Sequence, residues 1–288
     1  MGIFRRPGGD GSYRVPVVGI VLFVAVGVGI AAFVVDAVVS ATRSVVSVAT
    51  APEPPGEPEL DLSAFDDHPF LAGLPVPRTE CALPAFGHDP ATVTAYYAAV
   101  VDCLNAVWRP VLLAAGFEPV PPAAVFSTGD GTSECGTPAE TQATAWYCGA
   151  DGAMYLPPER LTAGDSGRVD QHLVVIAHEY GHHVQAVAGL AELAWGGSWP
   201  DRQAEYRISR RYELQADCLA GLFVGAVAGR GSVPAHVASG APDTVGGGSV
   251  DTHGSLLNSS RWIGRGVRGD TTAACDTWSA PEEEVSYR

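Results

Sequence analysis

The sequence predicts an α+β fold, in which a mainly helical domain with a small β-sheet follows one N-terminal transmembrane helix. Three observations support this class. An uncharged apolar run of 21 residues occupies positions 15–35, later segments repeat apolar residues at the helical period, and three short β-like runs lie between residues 123 and 156. A chain of 288 residues has room for one large or two small domains beyond such a run.

The apolar run is long enough to cross a hydrocarbon core of about 30 Å as a helix. Arg5, Arg6 and Arg14 precede it, whereas only Arg43 follows closely. The positive-inside tendency therefore predicts a cytoplasmic segment 1–14, a membrane anchor 15–36 and an extracytoplasmic remainder. A signal peptide cleaved near residue 41 is the alternative. The run exceeds the usual signal core of about 7–15 residues, which favours an uncleaved anchor.

Composition separates the anchor from the rest of the chain. Residues 37–62 are predicted to form a linker, because the stretch APEPPGEPEL is too rich in proline and acid to bury a core. Residues 63–288 then form the domain. All 17 basic residues of the chain are arginines, and the net charge is −15. This charge argues against binding of nucleic acid through phosphates and against a basic membrane-surface patch.

The first helix of the domain is predicted from Asp89 to Gly116. Pro90 stands near its start, and Pro110 is expected to kink or end it. Apolar residues recur through the segment at helical spacing and indicate a core helix. After it, three β-like runs separated by glycine- and proline-rich turns predict short strands at residues 124–126, 145–147 and 153–156.

The strongest chemical signal is H-E-x-x-H, which begins at His178. Residues four apart lie on one face of a helix, so His178 and His182 can direct two imidazoles at one zinc ion. Glu179 would lie beside the first ligand, close enough to polarise a water molecule without binding the metal. We expect one zinc ion per chain at this site.

A chance match on a helix with solvated or core histidines is the alternative explanation. The context disfavours it, because apolar residues continue the helical period on both sides of the motif. Asp165, Ser166 and Asp170 are candidate N-caps. Gly181 inside the motif is costly in a helix, which suggests that a strand or the metal site packs tightly against it.

A second predicted helix supplies a third ligand. Glu213 and Asp217 are again four residues apart, and apolar residues flank them. Two acids on a solvated face are the alternative, but an unpaired carboxylate on so apolar a helix would be costly to bury. We therefore predict that Glu213 binds the metal, while Asp217 accepts a hydrogen bond from a ligand imidazole and fixes its tautomer.

The segments HEYGHHVQ and ELQADCLAG resemble the bacterial neutral zinc metallopeptidase family, a gluzincin-like group. The resemblance extends from about Cys81 to Trp278. It implies a zincin-like metallopeptidase domain, zinc on His178, His182 and Glu213, and Glu179 as the catalytic base. By analogy with zincin folds, residues 154–156 are the candidate edge strand for pairing with an extended peptide or protein substrate.

The tail that shares this resemblance provides candidates for a hydrogen-bond donor to the oxyanion. His253 and Arg261 are the first choices, and Tyr180 and Tyr212 are alternatives that could simply pack. A loop histidine that caps a turn is an equally open interpretation of His253. A zinc-stabilised scaffold without turnover is the other functional hypothesis, but such a protein would have no need of Glu179.

Six cysteines in a chain predicted to be exported suggest disulfides, and the sequence alone allows fifteen connectivities. Proximity along the chain favours Cys135 with Cys148 and Cys81 with Cys103. The remaining pair, Cys218 with Cys275, would join the tail to the helix that bears Glu213. A cysteine zinc site is disfavoured, because no C-x-x-C pair is present.

Overall fold

The computed structural model of the protein describes residues 60–126, 133–136, 143–163, 168–244 and 249–287, which belong to the compact unit Pro58–Arg288. The predicted cytoplasmic segment, the anchor, most of the linker and the candidate N-caps Asp165 and Ser166 lie outside these residues. The helices described are α1 (Pro90–Ala114), α2 (Pro158–Leu161), α3 (Val169–Val187), α4 (Leu190–Trp195), α5 (Arg202–Val227), α6 (Val237–Gly240), α7 (Val250–His253), α8 (Leu256–Arg268) and α9 (Glu282–Val285).

The described strands form one small sheet of β1 (Ala123–Val125), β2 (Trp146–Cys148) and β3 (Ala153–Tyr155), in the order β1-β3-β2. β1 and β3 are parallel, and β2 and β3 are antiparallel, with Tyr147 opposite Met154. This confirms the predicted mainly helical α+β class with a small sheet. The choice of residues 154–156 as the edge strand is wrong, because β3 is paired on both sides. The edge strands are β1 and β2, and β2 packs against α3.

Helix α1 begins as the sequence predicts. The Asp89 side chain accepts a hydrogen bond from the Thr92 amide, and Pro90 occupies the first turn, where its missing N–H costs nothing. Pro110 does not end the helix, which continues to Ala114. Proline has no N–H to donate to the carbonyl four residues earlier in the helix. Because Pro110 is exposed, water can donate to that carbonyl instead. Within the described residues, α1 alone has the length and hydropathy of a membrane span, but its apolar face forms the domain core.

The predicted metal-binding helix is α3, which begins at Val169. Asp170 is not its N-cap, since Arg168 occupies that position and pairs with Asp170 in the first turn at 2.6 Å. A Cβ on Gly181 would lie 3.1 Å from the Ala216 Cα and carbonyl oxygen of α5. The close neighbour of this glycine is therefore the α5 backbone rather than a strand or the metal site. The close approach brings the side chains of both helices to one site.

Helices α5 and α8 also approach each other through glycines. A Cβ on Gly221 would collide with the Ile263 carbonyl, and one on Gly266 would collide with the Cys218 carbonyl. Only residues without side chains allow two helix backbones to come so near. As a result, α8 lies directly on the part of α5 that follows Asp217.

The three predicted disulfides are confirmed. The Cα–Cα distances are 5.7 Å for Cys81–Cys103, 5.8 Å for Cys135–Cys148 and 5.4 Å for Cys218–Cys275. Beyond the third disulfide, the buried guanidinium of Arg211 donates to the carbonyls of Thr277 and Ala280 and pairs with Glu282 at 3.1 Å. These contacts hold the C-terminal tail against α5.

Candidate metal centre

Three side chains from α3 and α5 converge as the sequence predicts. The Nε2 atoms of His178 and His182 each lie 3.3 Å from Oε2 of Glu213, and the three candidate ligand atoms lie within 4.8 Å of one another. A tetrahedral zinc with bonds of about 2.0–2.1 Å separates its ligand atoms by about 3.3–3.4 Å. The spacing around Glu213 therefore fits zinc.

The Glu213 oxygen also lacks the hydrogen bonds expected of a buried carboxylate. Imidazole nitrogens of His178, His182 and His253 approach its Oε2 at 3.3–3.4 Å. None of these nitrogens donates with hydrogen-bond geometry. Oε2 is therefore buried without a hydrogen-bond partner among the described residues. An anionic oxygen that the Nε2 atoms of His178 and His182 approach without hydrogen bonding is the arrangement expected where a cation joins the three groups.

Electrostatics at the site favour a cation. Burial opposes charge on His178, yet the carboxylates of Asp217 and Glu213 outweigh it and raise the His178 pKa well above its ordinary value. Burial alone would raise the pKa of Glu213, but the imidazoles of His182 and His178 hold it well below its ordinary value. Glu213 is thus an anion at neutral pH, and a metal ion would compete with protons for the two imidazoles.

Each of the two candidate ligand histidines is oriented by a second polar group. Nδ1 of His178 lies 2.9 Å from Oδ1 of Asp217, whose other oxygen accepts a hydrogen bond from Ser259 of α8. Nδ1 of His182 lies 2.9 Å from Oε1 of Gln185. The sequence reasoning identified Asp217 but missed Gln185 and Ser259. Gln185 could have been found from its position three residues after His182, on the same side of the helix.

Glu179 stands beside the ligands without joining them. Its Oε2 accepts a hydrogen bond of 2.9 Å from the backbone amide of Tyr147 on the edge strand β2. This contact directs the carboxylate to the side of the site that the sheet borders. Tyr147 was also missed by sequence reasoning, because the contact uses its backbone and depends on how β2 packs against α3.

His253 is the tail residue that the structure brings to the centre. Its Nε2 lies 3.4 Å from Oε2 of Glu213, and its Nδ1 lies 2.8 Å from the Thr252 hydroxyl. Arg210 of α5 donates to the Asp251 carbonyl at 2.9 Å and holds the short helix α7 in place. The side chain of His253 is 37% exposed, so it borders the open side of the site.

The other three candidate donors have different surroundings. Arg261 is exposed on α8, and its guanidinium lies 3.4 Å from Oδ1 of Asn258 on the same helix. The Tyr180 hydroxyl donates to Asn105 at 2.7 Å. The Tyr212 ring stacks on the His182 ring with centroids 5.0 Å apart. Among the four candidates, His253 is the one whose side chain contacts Glu213, and Arg261 remains a prediction from the sequence alone.

Comparisons with known proteins agree with this geometry. A family model described as "Putative neutral zinc metallopeptidase" matches residues 88–240, from α1 to α6, and includes the three candidate ligands but not His253 or Arg261. An uncharacterized protein of Mycobacterium tuberculosis is 29% identical over 215 residues, covering 63% of this chain and 69% of the relative. Uncharacterized protein YpfJ of Escherichia coli is 30% identical over 154 residues, covering 46% and 53% respectively. No solved structure matches the chain significantly.

Proposed function

This chain belongs to the neutral zinc metallopeptidase family, and from that membership we propose that it is a membrane-anchored zinc peptidase that hydrolyses peptide bonds outside the cytoplasm. The observation that carries the proposal is the convergence of His178, His182 and Glu213, with the carboxylate of Glu179 on the adjacent position of the same helix. Three protein ligands leave one position of a tetrahedral site open, as catalysis requires. A structural zinc site would be closed by a fourth protein ligand.

The roles of the residues follow from where their atoms lie. His178, His182 and Glu213 would hold one zinc ion, which supplies Lewis-acid polarisation of the scissile carbonyl and makes water nucleophilic near neutral pH. Glu179 would accept a proton from the attacking water and deliver it to the leaving amine nitrogen. Asp217 and Gln185 would keep the two imidazoles in the orientation that leaves Nε2 free.

His253 is proposed as the donor to the developing oxyanion. Its imidazole lies next to Glu213, on the partly exposed side of the site, where a substrate carbonyl could enter. The hydrogen bond between its Nδ1 and Thr252 restricts rotation of the ring. A donor fixed in advance near the reacting carbonyl stabilises charge without reorganising during the reaction.

The membrane anchor and the location outside the cytoplasm are parts of the proposal that rest on the sequence. They are supported by the apolar run at residues 15–35, by the three arginines before it and by the three disulfides of the domain, since disulfides persist in oxidising compartments. The test fuses residues 1–62 to a reporter enzyme that is active only after export. The fusion should be active and should sediment with membranes. A reporter that stays in the cytoplasmic fraction would contradict this part.

The test of the enzymatic part compares the parent protein with Glu179→Gln. The zinc-loaded parent should cleave casein or a quenched peptide, and a chelator should abolish cleavage. Glu179→Gln should keep one zinc per chain and lose about 100-fold or more of the rate, because the amide cannot accept the proton.

Glu205→Gln is the matched control, since Glu205 is exposed on α5, and it should cleave at the parent rate. Cleavage by Glu179→Gln at that same rate would rule out the general-base role. A parent that binds zinc firmly but cleaves none of a broad peptide set would favour the zinc-stabilised scaffold instead.

A further inference from the structure

Two glutamines lie side by side in the interior next to the metal centre. Gln185 of α3 and Gln215 of α5 are both fully buried, and they are joined by a hydrogen bond of 2.9 Å from Nε2 of Gln185 to Oε1 of Gln215. Buried amides are costly unless both their donor and acceptor groups are satisfied. The role proposed above for Gln185 uses only its contact with His182. It does not explain why Gln215 is buried beside Gln185.

The partners of the pair fix which way each amide points. Nε2 of Gln215 donates to the Cys275 carbonyl at 3.0 Å, and Nε2 of Gln185 donates to the Tyr212 carbonyl at 2.8 Å. A backbone carbonyl can only accept, so each of these contacts requires the NH₂ group of the amide. Both amide oxygens must therefore point the other way, where Oε1 of Gln215 accepts from Gln185.

The direction of the Gln185 amide also fixes the tautomer of His182. With its NH₂ group committed to Tyr212 and Gln215, Gln185 can present only its oxygen to Nδ1 of His182, 2.9 Å away. An oxygen acceptor requires that Nδ1 carry the hydrogen, and a neutral imidazole then has its lone pair on Nε2. Nε2 is the atom that faces Glu213 at 3.3 Å.

We propose that Gln185, supported by Gln215, is the positioning residue that holds His182 in its metal-binding tautomer, and that the carbonyls of Tyr212 and Cys275 set the direction of this hydrogen-bonded chain. The inference rests on the proposed function only in that the centre binds zinc. The chain starts at the Cys218–Cys275 disulfide, so covalent attachment of the tail and orientation of the ligand are parts of one arrangement.

The two ligand histidines are thus oriented by different chemistry. His178 is held by a carboxylate, Asp217, whereas His182 is held by a neutral amide whose direction depends on other groups. A carboxylate accepts hydrogen bonds with either oxygen and needs no such support. This difference explains why a second buried amide accompanies Gln185, while Asp217 is accompanied by a single hydroxyl donor, Ser259.

The experiment measures zinc affinity by chelator competition, and unfolding temperature, for two substitutions of Gln185. Gln185→Met has similar length and removes the acceptor for His182, so zinc affinity should fall about 10–100-fold. Gln185→Glu keeps an acceptor for His182 but removes the donor to the Tyr212 carbonyl and to Oε1 of Gln215. It should bind zinc within about threefold of the parent affinity while its melting temperature falls. A merely structural role would instead weaken zinc binding in both variants alike.

Each glutamine has a matched control on its own helix. Gln171 of α3 and Gln203 of α5 are both exposed, and Gln171→Met and Gln203→Met should leave both readouts unchanged. Gln215→Met should weaken zinc binding less than Gln185→Met, because the Tyr212 carbonyl still directs Gln185.

Several outcomes would overturn the inference. One is parent-like affinity in folded Gln185→Met; another is an equal loss in Gln185→Met and Gln185→Glu. If Gln185→Met does not fold, Gln185→Glu decides alone, since a tenfold loss of affinity would contradict the proposal and retained affinity would support it. A parent protein that takes up no zinc would overturn the proposed function, and this inference with it.

Discussion

Glu213 is the residue on which the candidate site depends most. Its Oε2 is the one atom that the nitrogens of His178, His182 and His253 all approach, and it has no hydrogen-bond donor among the described residues. Without a cation, it would be a buried anion held only by imidazoles that must stay protonated. With one, Glu213 and the imidazoles of His178 and His182 share a partner, and the roles of the neighbouring residues follow from their positions around this oxygen.

Glu213→Ala should therefore lose most of its zinc, because two imidazoles alone leave half of a tetrahedral site to water. Metal analysis after gel filtration should give near-zero zinc for the variant. Glu205→Ala, two turns earlier and exposed on the same helix, should retain one zinc per chain. Full zinc content in Glu213→Ala would remove Glu213 from the ligand set.

His253→Ala should lower kcat by about 100-fold or more while KM changes little, because an oxyanion donor acts mainly in the transition state. Zinc content and melting temperature should stay at parent values. His236→Ala, an exposed histidine on the same domain, should turn over normally. If His253→Ala also turned over normally, the donor would have to be sought elsewhere, with Arg261 the next candidate.

At the scale of elements, the site depends on helices that come unusually close together. Gly181 lets α3 meet α5, and Gly221, Gly225 and Gly266 let α5 meet α8. The second contact brings Ser259 to Asp217 and so links α8 to the orientation of His178. Packing between backbones is thus coupled to the geometry of the metal centre.

Gly221→Ala should destabilise the domain by about 1–3 kcal/mol, even though alanine is the better helix former. The reason is that its Cβ would collide with the Ile263 backbone carbonyl, which cannot move aside as a side chain could. Urea unfolding measures the change. Gly197→Ala is the control, since a Cβ there has open space, and an equal or smaller loss in Gly221→Ala than in this control would show that the helices can separate at little cost.

At the scale of the whole molecule, disulfides fasten segments that are far apart in sequence. Cys218–Cys275 closes a separation of 57 residues, and Cys135–Cys148 closes one of 13. The tail beyond Cys275 is also held by the buried Arg211 of α5, which donates to two of its carbonyls and pairs with its Glu282 side chain. The chain after α8 is therefore attached to α5 at two places, and α7 before it is held to α5 by the hydrogen bond from Arg210 to the Asp251 carbonyl.

Replacing a disulfide by a pair of alanines should destabilise the domain more when the loop that it closes is longer. The chain-entropy model gives about 4 kcal/mol for Cys218–Cys275 and about 3 kcal/mol for Cys135–Cys148. Only the first should also weaken zinc binding, because the Cys275 carbonyl supports Gln215. Equal effects of the two replacements on zinc affinity would contradict this coupling.

The sequence by itself determined the features that depend on local periodicity. Spacing of four residues places His178 with His182, and Glu213 with Asp217, whatever the rest of the fold does, because helical residues one turn apart share a face. The three short strands were found within one residue of their ends for the same local reason. Two of the disulfide pairings were predicted from proximity along the chain, and the third was the pair that remained.

Only the tertiary structure decided the features that join distant segments. It made β3 the central strand and β1 and β2 the edges, because pairing depends on how the chain crosses over rather than on any one strand. It brought His253, and not Arg261, to Glu213, since two residues of the same tail can face opposite ways. It also paired Gln185 with Gln215, whose contact spans 30 residues and leaves no trace in spacing. Local sequence sets which face a side chain occupies, and packing between helices sets what that face meets.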